Sequence, residues 1–418
     1  KVSGISFDTR TLDKNNIFFA IQGLNDDGFK YINLAINKGA SAIVIPNTSK
    51  KVIKENIPVY KVRNIREKLS ETSFRFYKND IKNKIAITGT NGKTSVSFFI
   101  NYLLKSLSKK SATIGTLGTS LNNKSIENLT TPDPISLAKE MKKMNSKKIE
   151  YVIIEASSHG LHQRRFFPLK FDLCILTNIS HDHLDYHKNM KSYLSSKLYL
   201  FEKLIKKKGD IISDTNIPQI KKIENIAIKK DINLSLIFNK KKGIKLISHT
   251  YVKEKQILKV LLGNKRYEIA LNLIGKIQIN NVLMAILAAN KSGLEIKKII
   301  NIIHKLKPVE GRLEKIGSLK NNSKVILDYA HTPAALELAL INIKEQFPES
   351  KISLVFGCGG ERDFKKRSIM GKIADRYSDT IYLTDDNPRN ENPSKIRKEI
   401  KKGIKKNKYK ELPNRKKA

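Results

Sequence analysis

The sequence predicts an α/β protein of three domains, with mostly parallel sheets. Three observations carry that prediction. Short apolar runs suited to buried strands alternate with helical stretches through much of the chain, as in parallel sheets joined by crossover helices. A glycine-rich loop, Thr88-Gly89-Thr90-Asn91-Gly92-Lys93-Thr94, stands between one such run (Ile85-Ala86-Ile87) and a helical stretch from Ser95 to Ser108. Polar motifs follow several runs, at the strand ends where open α/β sheets bind ligands. A length of 418 residues allows two to four domains, each with its own core.

The first domain, residues 1–80, is small. It reads as a strand at Ile17–Ile21, a turn at Gln22–Gly28, a helix at Phe29–Lys38 ended by Gly39, and a strand at Ala42–Ile45 stopped by Pro46. The second, residues 81–306, opens on the glycine-rich loop. Its strands at Tyr151–Glu155 and Leu173–Leu176 alternate with helices at Ile135–Met144 and Tyr193–Lys206. Within the last helix, Leu204-Ile205-Lys206-Lys207-Lys208 reads as a solvated face. The lysine-rich stretch 220–270 is less regular and is expected to hold short antiparallel strands, and residues 276–305 read as helical. The third domain, residues 307–418, has strands at Val325–Leu327, Ile352–Phe356 and Thr380–Leu383 between helices, a doubly wound, Rossmann-like pattern.

Composition excludes several function classes. Two cysteines, Cys174 and Cys358, cannot build a disulfide framework or a zinc cluster, which points to a reducing compartment and to the cytoplasm. No apolar stretch approaches a membrane span, and no signal peptide is visible. A net charge of +41 would by itself suggest nucleic-acid binding. The lysines are spread over every segment, however, with no arginine-rich stripe, zinc finger or recognition helix. The charge therefore reads as solvated surface whose field would favour an anionic substrate, with no nucleic acid as partner. The chain begins at Lys1 and not Met, so its true start is expected to lie upstream.

The loop at 88–94 is built to hold phosphate. Gly89 and Gly92 let backbone N–H groups approach oxygens, and the helix N-terminus beyond favours anions. Lys93 can neutralise phosphate charge and Thr94 can ligate Mg²⁺. The spacing Gly-x-x-Gly-Lys-Thr is two residues shorter than the common phosphate loop, which points away from generic ATPases and GTPases. Glu155 ends an apolar strand and precedes Ala156-Ser157-Ser158-His159-Gly160, a fitting place for a hard oxygen ligand to a nucleotide-bound cation. Thr177-Asn178-Ile179-Ser180-His181-Asp182-His183-Leu184-Asp185 also follows a strand and reads as an active-site edge. His181-x-His183 alone is weak evidence for zinc, and Asp182 and Asp185 suit helix capping equally well. Lys197 is not distinguished by residue chemistry from the many other lysines. In the third domain, Gly311-Arg312, Asp328-Tyr329-Ala330-His331-Thr332-Pro333, Gly357–Asp363 and Asp385–Arg389 are the polar motifs, and Arg362 and Arg389 suit bidentate recognition of carboxylates.

Together these motifs resemble the Mur ligases, ATP-dependent amide ligases of bacterial cell-wall precursor synthesis. The similarity is greatest to the MurE type, which adds the third residue to UDP-N-acetylmuramoyl-L-alanyl-D-glutamate. It runs from about Ile5 to the end and rests on Gly89–Thr94, Thr130-Thr131-Pro132, Glu155–Gly160, Asn178–His187, Gly311-Arg312, Asp328–Pro333 and Asp386–Arg389. The resemblance implies a uridine-nucleotide domain at the N-terminus, a central ATPase domain and a C-terminal amino-acid domain. It implies ATP contacts at Gly89, Thr90, Asn91, Gly92, Lys93, Thr94, Ser95, Asn280, Asn281, Arg312, Asp328 and His331. Contacts to the UDP substrate are implied at Phe7, Thr9, Leu24, Asn25, Asp26, Thr130, Thr131, Ser157, Gln163 and Arg165.

Thr94, Glu155 and His183 match metal positions. Lys197 falls where the family carries a lysine carbamylated by CO₂, which would turn a cation into an oxygen ligand for a second Mg²⁺. Lys93, Glu155, His183 and Lys197 form the implied catalytic set. Arg362 and Asp386-Asn387-Pro388-Arg389 match contacts to meso-diaminopimelate, whose extra carboxylate Arg389 would pair; lysine-adding relatives differ at this motif. The implied partners are therefore ATP, the UDP-muramoyl dipeptide and meso-diaminopimelate, and a monomer is expected. A later Gly-Lys-Gly-His-Glu segment of the family is absent before Ala418, so the third domain is expected to be incomplete. The alternatives are a lysine-adding ligase, a folylpolyglutamate synthetase-like ligase, a nucleic-acid-stimulated ATPase and a non-catalytic ligand-binding fragment.

Overall fold

A computed structural model of the protein describes residues 2–23, 26–49, 57–121, 129–361, 363–405 and 409–418. The chain divides into two compact units: Lys1–Leu246 with Val260–Tyr267 and Asn281–Ile302, and Ile247–Lys259 with Glu268–Asn280 and Ile303–Ala418.

The first unit opens with a parallel four-stranded sheet in sequential order, β1 (Gly4–Ser6), β2 (Asn16–Phe19), β3 (Ala42–Pro46) and β4 (Val59–Val62). Alternation along the strands serves two cores, because successive side chains point to opposite faces. Phe18, Ile43 and Ile45 join Ile32 and Ala35 of α1 (Ile32–Asn37) in one. Phe19 and Val44 join Leu69 of α2 (Ile65–Phe76) in the other. Asn64 caps α2 by accepting from Glu67 N at 3.2 Å.

The central elements follow as β5 (Asn83–Thr88), α3 (Lys93–Ser106), β6 (Ser111–Gly115), β7 (Gly118–Thr119), α4 (Pro134–Ser146), β8 (Tyr151–Glu155), α5 (Ser158–His162), β9 (Phe171–Leu176), α6 (Leu184–His187), α7 (Met190–Tyr199), β10 (Ile205–Asp214), α8 (Ile220–Lys230) and β11 (Asn233–Ile237). Within this unit the strand order is β7-β6-β8-β5-β9-β10-β11. β5 lies between β8 and β9, parallel to both, with Ile87 opposite Glu155 and Thr88 opposite Leu176. Three strand ends are thus level at one edge, with crossovers leaving β5 to either side. Beyond β11 come β12 (Gly243–Val252), β13 (Lys255–Leu262), β14 (Lys265–Leu271), α9 (Ile277–Lys291) and α10 (Ile296–Ile303).

Three sequence expectations are corrected here. The helix expected to reach Lys206 ends at Tyr199, passes through a π turn at Leu200–Leu204 and becomes β10. Leu204 and Ile205 are buried, Leu204 closing the π turn and Ile205–Lys208 opening the strand, so 204–208 is not a solvated helix face. The cause is tertiary: β9 and β11 offer β10 parallel partners on both sides, which overrides the lysine-rich helical pattern. The 220–270 stretch is corrected only in its first part, which is helix α8 followed by β11 running parallel to β10 and to the start of β12. The strands expected beyond it are β12, β13 and β14, neighbours joined by two-residue connections.

The second unit contains β15 (Glu314–Ser318), β16 (Lys324–Leu327), α11 (Pro333–Gln346), β17 (Ser353–Phe356), α12 (Lys365–Tyr377), β18 (Thr380–Leu383), α13 (Pro393–Lys401) and β19 (Tyr409–Glu411). β17, β18 and β19 form a parallel sheet in that order. The expected third parallel strand at 325–327 is instead one arm of the antiparallel β15–β16 pair, because its nearest neighbour in sequence is already extended. Leu336, Leu340, Met370, Leu383, Ile396 and Ile400 share the core.

Arg367, 1 % exposed, reaches from α12 to Glu391 and Glu399, both at 2.8 Å. Removing it leaves two carboxylates facing an emptied site. Arg367→Met is expected to lower the melting temperature by on the order of 5 °C. The pairing holds Glu391 at about 2, below its ordinary 4.5. Its contribution is therefore complete above pH 4.5 and lost as pH falls toward 2. Urea titrations should show the gap between wild type and variant closing over that range; a constant gap would assign the loss to packing alone.

Candidate active site

The glycine-rich loop joins the carboxyl end of β5 to α3. Gly92 is the residue preceding the helix, with φ of 86°, and Gly89 has φ of 148°. Both conformations suit glycine. Space forbids a side chain as well: a Cβ on Gly92 would lie 2.6 Å from Asn281 Oδ1, and one on Gly89 would run into the Thr177 hydroxyl. The segment after β9 fastens the loop from the side. Thr90 N donates to Asn178 O and Asn91 N to Asn178 Oδ1, both at 2.9 Å, while Thr177 Oγ1 donates to Asn91 O at 2.6 Å. Lys93 Nζ folds back onto the carbonyls of Gly89 and Thr90, 2.9 Å from each. Thr94 and Ser95 open α3. A helix start under glycines, with a lysine over the loop, is an anion site.

Beside it lies Glu155, 2 % exposed at the end of β8. Thr94 Oγ1 and Thr116 Oγ1 each donate to its Oε2 at 3.0 Å, and Thr116 N to its Oε1 at 3.1 Å. Burial pushes the Glu155 carboxyl up, while Lys93 and these donors pull it down. Behind the carboxylate, Thr131 Oγ1 donates to Glu155 O at 2.8 Å and accepts from Ser157 N at 3.0 Å. Arg165 donates to Thr131 O and, through Nη2, to Gln163 Oε1 at 2.7 Å. Thr130 Oγ1 meets Thr116 Oγ1 at 3.2 Å. Thr130, Thr131, Ser157, Gln163 and Arg165, scattered over 36 positions of sequence, thus form one hydrogen-bonded surface with Glu155.

Lys197, 1 % exposed on α7, donates to Gly89 O at 2.8 Å and lies 4.6 Å from the Tyr193 ring centroid. Burial, then the charge of Lys93, drives its amine well below the ordinary value. Tyr193 in turn bonds the Thr90 hydroxyl at 3.0 Å. His183 precedes α6 in the left-handed region, φ 53°, with its ring 4.8 Å from that of His159. Neither Asp182 nor Asp185 caps that helix: Asp182 Oδ1 accepts from His183 N at 2.9 Å, and Asp185 lies within the first turn. Burial, with His183 and His187 beside it, pulls His159 down to about 4, so its ring is neutral at neutral pH.

Of the N-terminal candidates, Phe7 is exposed and Thr9 buried, with Thr9 O accepting from Lys38 Nζ at 2.7 Å. Asp26 accepts from Tyr31 Oη at 2.8 Å. Leu24 and Asn25 lie outside the described residues. In the second unit, Asp328 Oδ2 accepts from Leu313 N at 2.9 Å, the Arg312 guanidinium lies 4.9 Å from the Tyr329 ring centroid, and His331 Nδ1 is 3.0 Å from Tyr329 O. Asn280 falls in this unit and Asn281 in the first. Asp386, Asn387, Pro388 and Arg389 follow β18: Arg389 Nη1 donates to Gly360 O at 2.6 Å, and its N to Asn387 Oδ1 at 3.2 Å. Asp386 pairs with Arg415. Arg362 lies outside the described residues.

Thr116 escaped the sequence reading. It stands in Gly115-Thr116-Leu117-Gly118, where nothing in residue type or spacing marks it. Its partner Glu155 is 39 positions away, so only the β6–β8 pairing reveals it.

The description Mur ligase middle domain matches residues 87–289, and Mur ligase, glutamate ligase domain, matches 311–418. The chain is 38 % identical over 424 residues to a Rickettsia montanensis protein named UDP-N-acetylmuramoyl-L-alanyl-D-glutamate--2,6-diaminopimelate ligase, covering all of this chain and 87 % of that one. It is 39 % identical over 438 residues to the protein of the same name from Buchnera aphidicola subsp. Schizaphis graminum (strain Sg), covering all of this chain and 86 % of the relative. A solved structure of a ligase with that name superposes with a TM-score of 0.74 at 26 % identity, over all of this chain and 85 % of the other. The MurF ligase of Thermotoga maritima, solved with ADP, shares the fold, with a TM-score of 0.63 at 17 % identity over 97 % of this chain and 87 % of that one. With two family domains in order, full-length relatives at this identity and a phosphate loop set against Glu155, this chain belongs to the Mur ligase family.

Proposed function

We propose that the protein joins meso-diaminopimelate to UDP-N-acetylmuramoyl-L-alanyl-D-glutamate in the cytoplasm, converting one ATP to ADP and phosphate per amide formed. The observation that carries this reading is the single sheet edge on which the phosphate loop, Glu155 and the Thr130-to-Arg165 surface meet. It supports a reaction between an ATP γ-phosphoryl group and a carboxylate of a second bound substrate. The relatives' names supply the substrates.

A carboxylate is a poor electrophile until its oxygen is phosphorylated. Its attack on the γ-phosphoryl group gives an acyl phosphate and ADP. The amine of diaminopimelate then adds to the acyl carbon, and phosphate leaves from the tetrahedral intermediate. The loop N–H groups and Lys93 hold and neutralise the phosphates, and positioning supplies most of the remaining catalysis. Arg165 and Thr131 orient the muramoyl dipeptide.

Magnesium fits the donor set. Among the described residues no group of three or more His, Cys, Asp or Glu side chains is arranged for a metal. Magnesium asks for less, since it keeps several waters and takes phosphate oxygens. The adjacent Thr94 hydroxyl and Glu155 carboxylate would hold it, with His183 nearby. When bound, the ion neutralises charge accumulating on the transferred phosphoryl group. Burial of the Lys197 amine favours its uncharged form, the form that reacts with CO₂, which supports a carbamate there.

Phosphate release with UDP-muramoyl dipeptide and ATP tests the substrate: meso-diaminopimelate should stimulate it far more than L-lysine. Arg389→Ala should lower kcat/KM for diaminopimelate on the order of 100-fold and that for L-lysine much less, since lysine lacks the carboxylate. Equal losses for both would remove Arg389 from selectivity, and a wild-type preference for lysine would overturn the substrate proposal.

A further inference from the structure

Thr116 occupies a two-residue hairpin turn, with Gly115 paired to Gly118 on either side. The turn is pressed against Glu155: a Cβ on Gly115 would run into the carboxylate. Two of the carboxylate's three hydrogen bonds come from Thr116, through N–H and hydroxyl. The third comes from Thr94, itself a candidate cation ligand. The Thr116 hydroxyl also meets Thr130 Oγ1 at 3.2 Å.

Proton counting couples these bonds. A hydroxyl has one proton, and an ionised carboxylate only accepts. The Thr116 hydroxyl is the donor in both of its side-chain contacts, to Glu155 Oε2 at 3.0 Å and to Thr130 Oγ1 at 3.2 Å, so its one proton is shared between the carboxylate and Thr130. A substrate that engages the Thr130 hydroxyl, or shifts its backbone, therefore changes how much of the Thr116 proton is given to Glu155. Thr131 makes a separate connection, to the Glu155 carbonyl and Ser157 N–H, but reaches only main-chain atoms. Thr116 alone among these threonines ties the substrate segment to the carboxylate oxygens.

We propose that Thr116 is a positioning residue that couples the muramoyl-dipeptide segment at Thr130 to the nucleotide-site carboxylate Glu155, so that each substrate tightens binding of the other. The proposal rests on the function proposed above. Such coupling is reciprocal in binding free energy and corresponds to about 5–150-fold in affinity.

Calorimetric titration with the magnesium complex of the β,γ-imido analogue of ATP, with and without saturating UDP-N-acetylmuramoyl-L-alanyl-D-glutamate, reads the coupling without turnover. Wild type should bind the nucleotide analogue at least about 5-fold tighter when the dipeptide substrate is present. Thr116→Val keeps the N–H and removes the hydroxyl; it should leave each separate affinity within about 3-fold and bring the coupling factor below about 2-fold. Thr116→Ser should restore it. Unchanged coupling in Thr116→Val, absence of coupling in wild type, or collapse of both separate affinities in the valine variant would each overturn the proposal. Failure of wild type to bind the dipeptide substrate at all would instead refute the underlying function.

Discussion

Lys93→Ala is expected to reduce product formation about 10³-fold while leaving the far-ultraviolet circular dichroism and melting temperature near those of wild type. The amine lies at the surface of the loop, bonded to two carbonyls, Gly89 O and Thr90 O, whose other contacts are to the backbone and Lys197. The loop keeps its shape without it, because Asn178, Thr177 and Ser180 hold Thr90 and Asn91. The loss would fall on the transition state, where charge spreads over the γ-phosphoryl oxygens and a fixed cation is worth most in a site shielded from water. Nucleotide affinity should therefore fall less than kcat. A variant with kcat within 10-fold of wild type would remove Lys93 from the chemistry.

Lys197→Met is expected to separate activity from stability in opposite directions. Lys197 is buried, and its hydrogen bond is to a neutral carbonyl. Burial, then the charge of Lys93, holds its amine well below the ordinary 10.5, so the folded chain binds this proton less tightly than the unfolded chain does. That difference opposes folding below pH 10.5 and fades as pH rises toward it. A methionine of similar reach carries no such penalty. In CO₂-depleted buffer, Lys197→Met should melt at or above the wild-type temperature, with the advantage larger at pH 7 than at pH 10. Ligase activity should nonetheless fall on the order of 10²–10³-fold, because the oxygen donor that a carbamate would supply is lost. Carbon-13 NMR with labelled bicarbonate should show a carbamate carbonyl in wild type and none in the variant. Full activity in Lys197→Met would end the carbamate proposal.

Much of this site was legible in one dimension because its chemistry is local. A phosphate loop needs glycines at fixed offsets and a lysine at a helix start, so Gly89, Gly92, Lys93 and Thr94 announce themselves. Glu155 was legible because it ends an apolar strand. Lys197 was not legible from residue chemistry, since one lysine among many is marked only by its burial, and it was found through family resemblance. Thr116 was invisible, as its meaning is one hydroxyl held between two groups far away in sequence.

The sequence by itself determined the alternation of strands and helices, the loop and the family, because these rest on periodicity and on contiguous residues. Tertiary structure alone decided the rest. It made Ile205–Lys208 a strand entry by offering β10 two parallel neighbours, and it paired the strand at 324–327 with β15 rather than with the β17 sheet. It buried Lys197 beside Lys93, and it brought Thr116, Thr130 and Glu155 within hydrogen-bonding reach. The physical reason is common to all four: strand pairing and desolvation depend on neighbours that the fold supplies, and no window of contiguous sequence contains them.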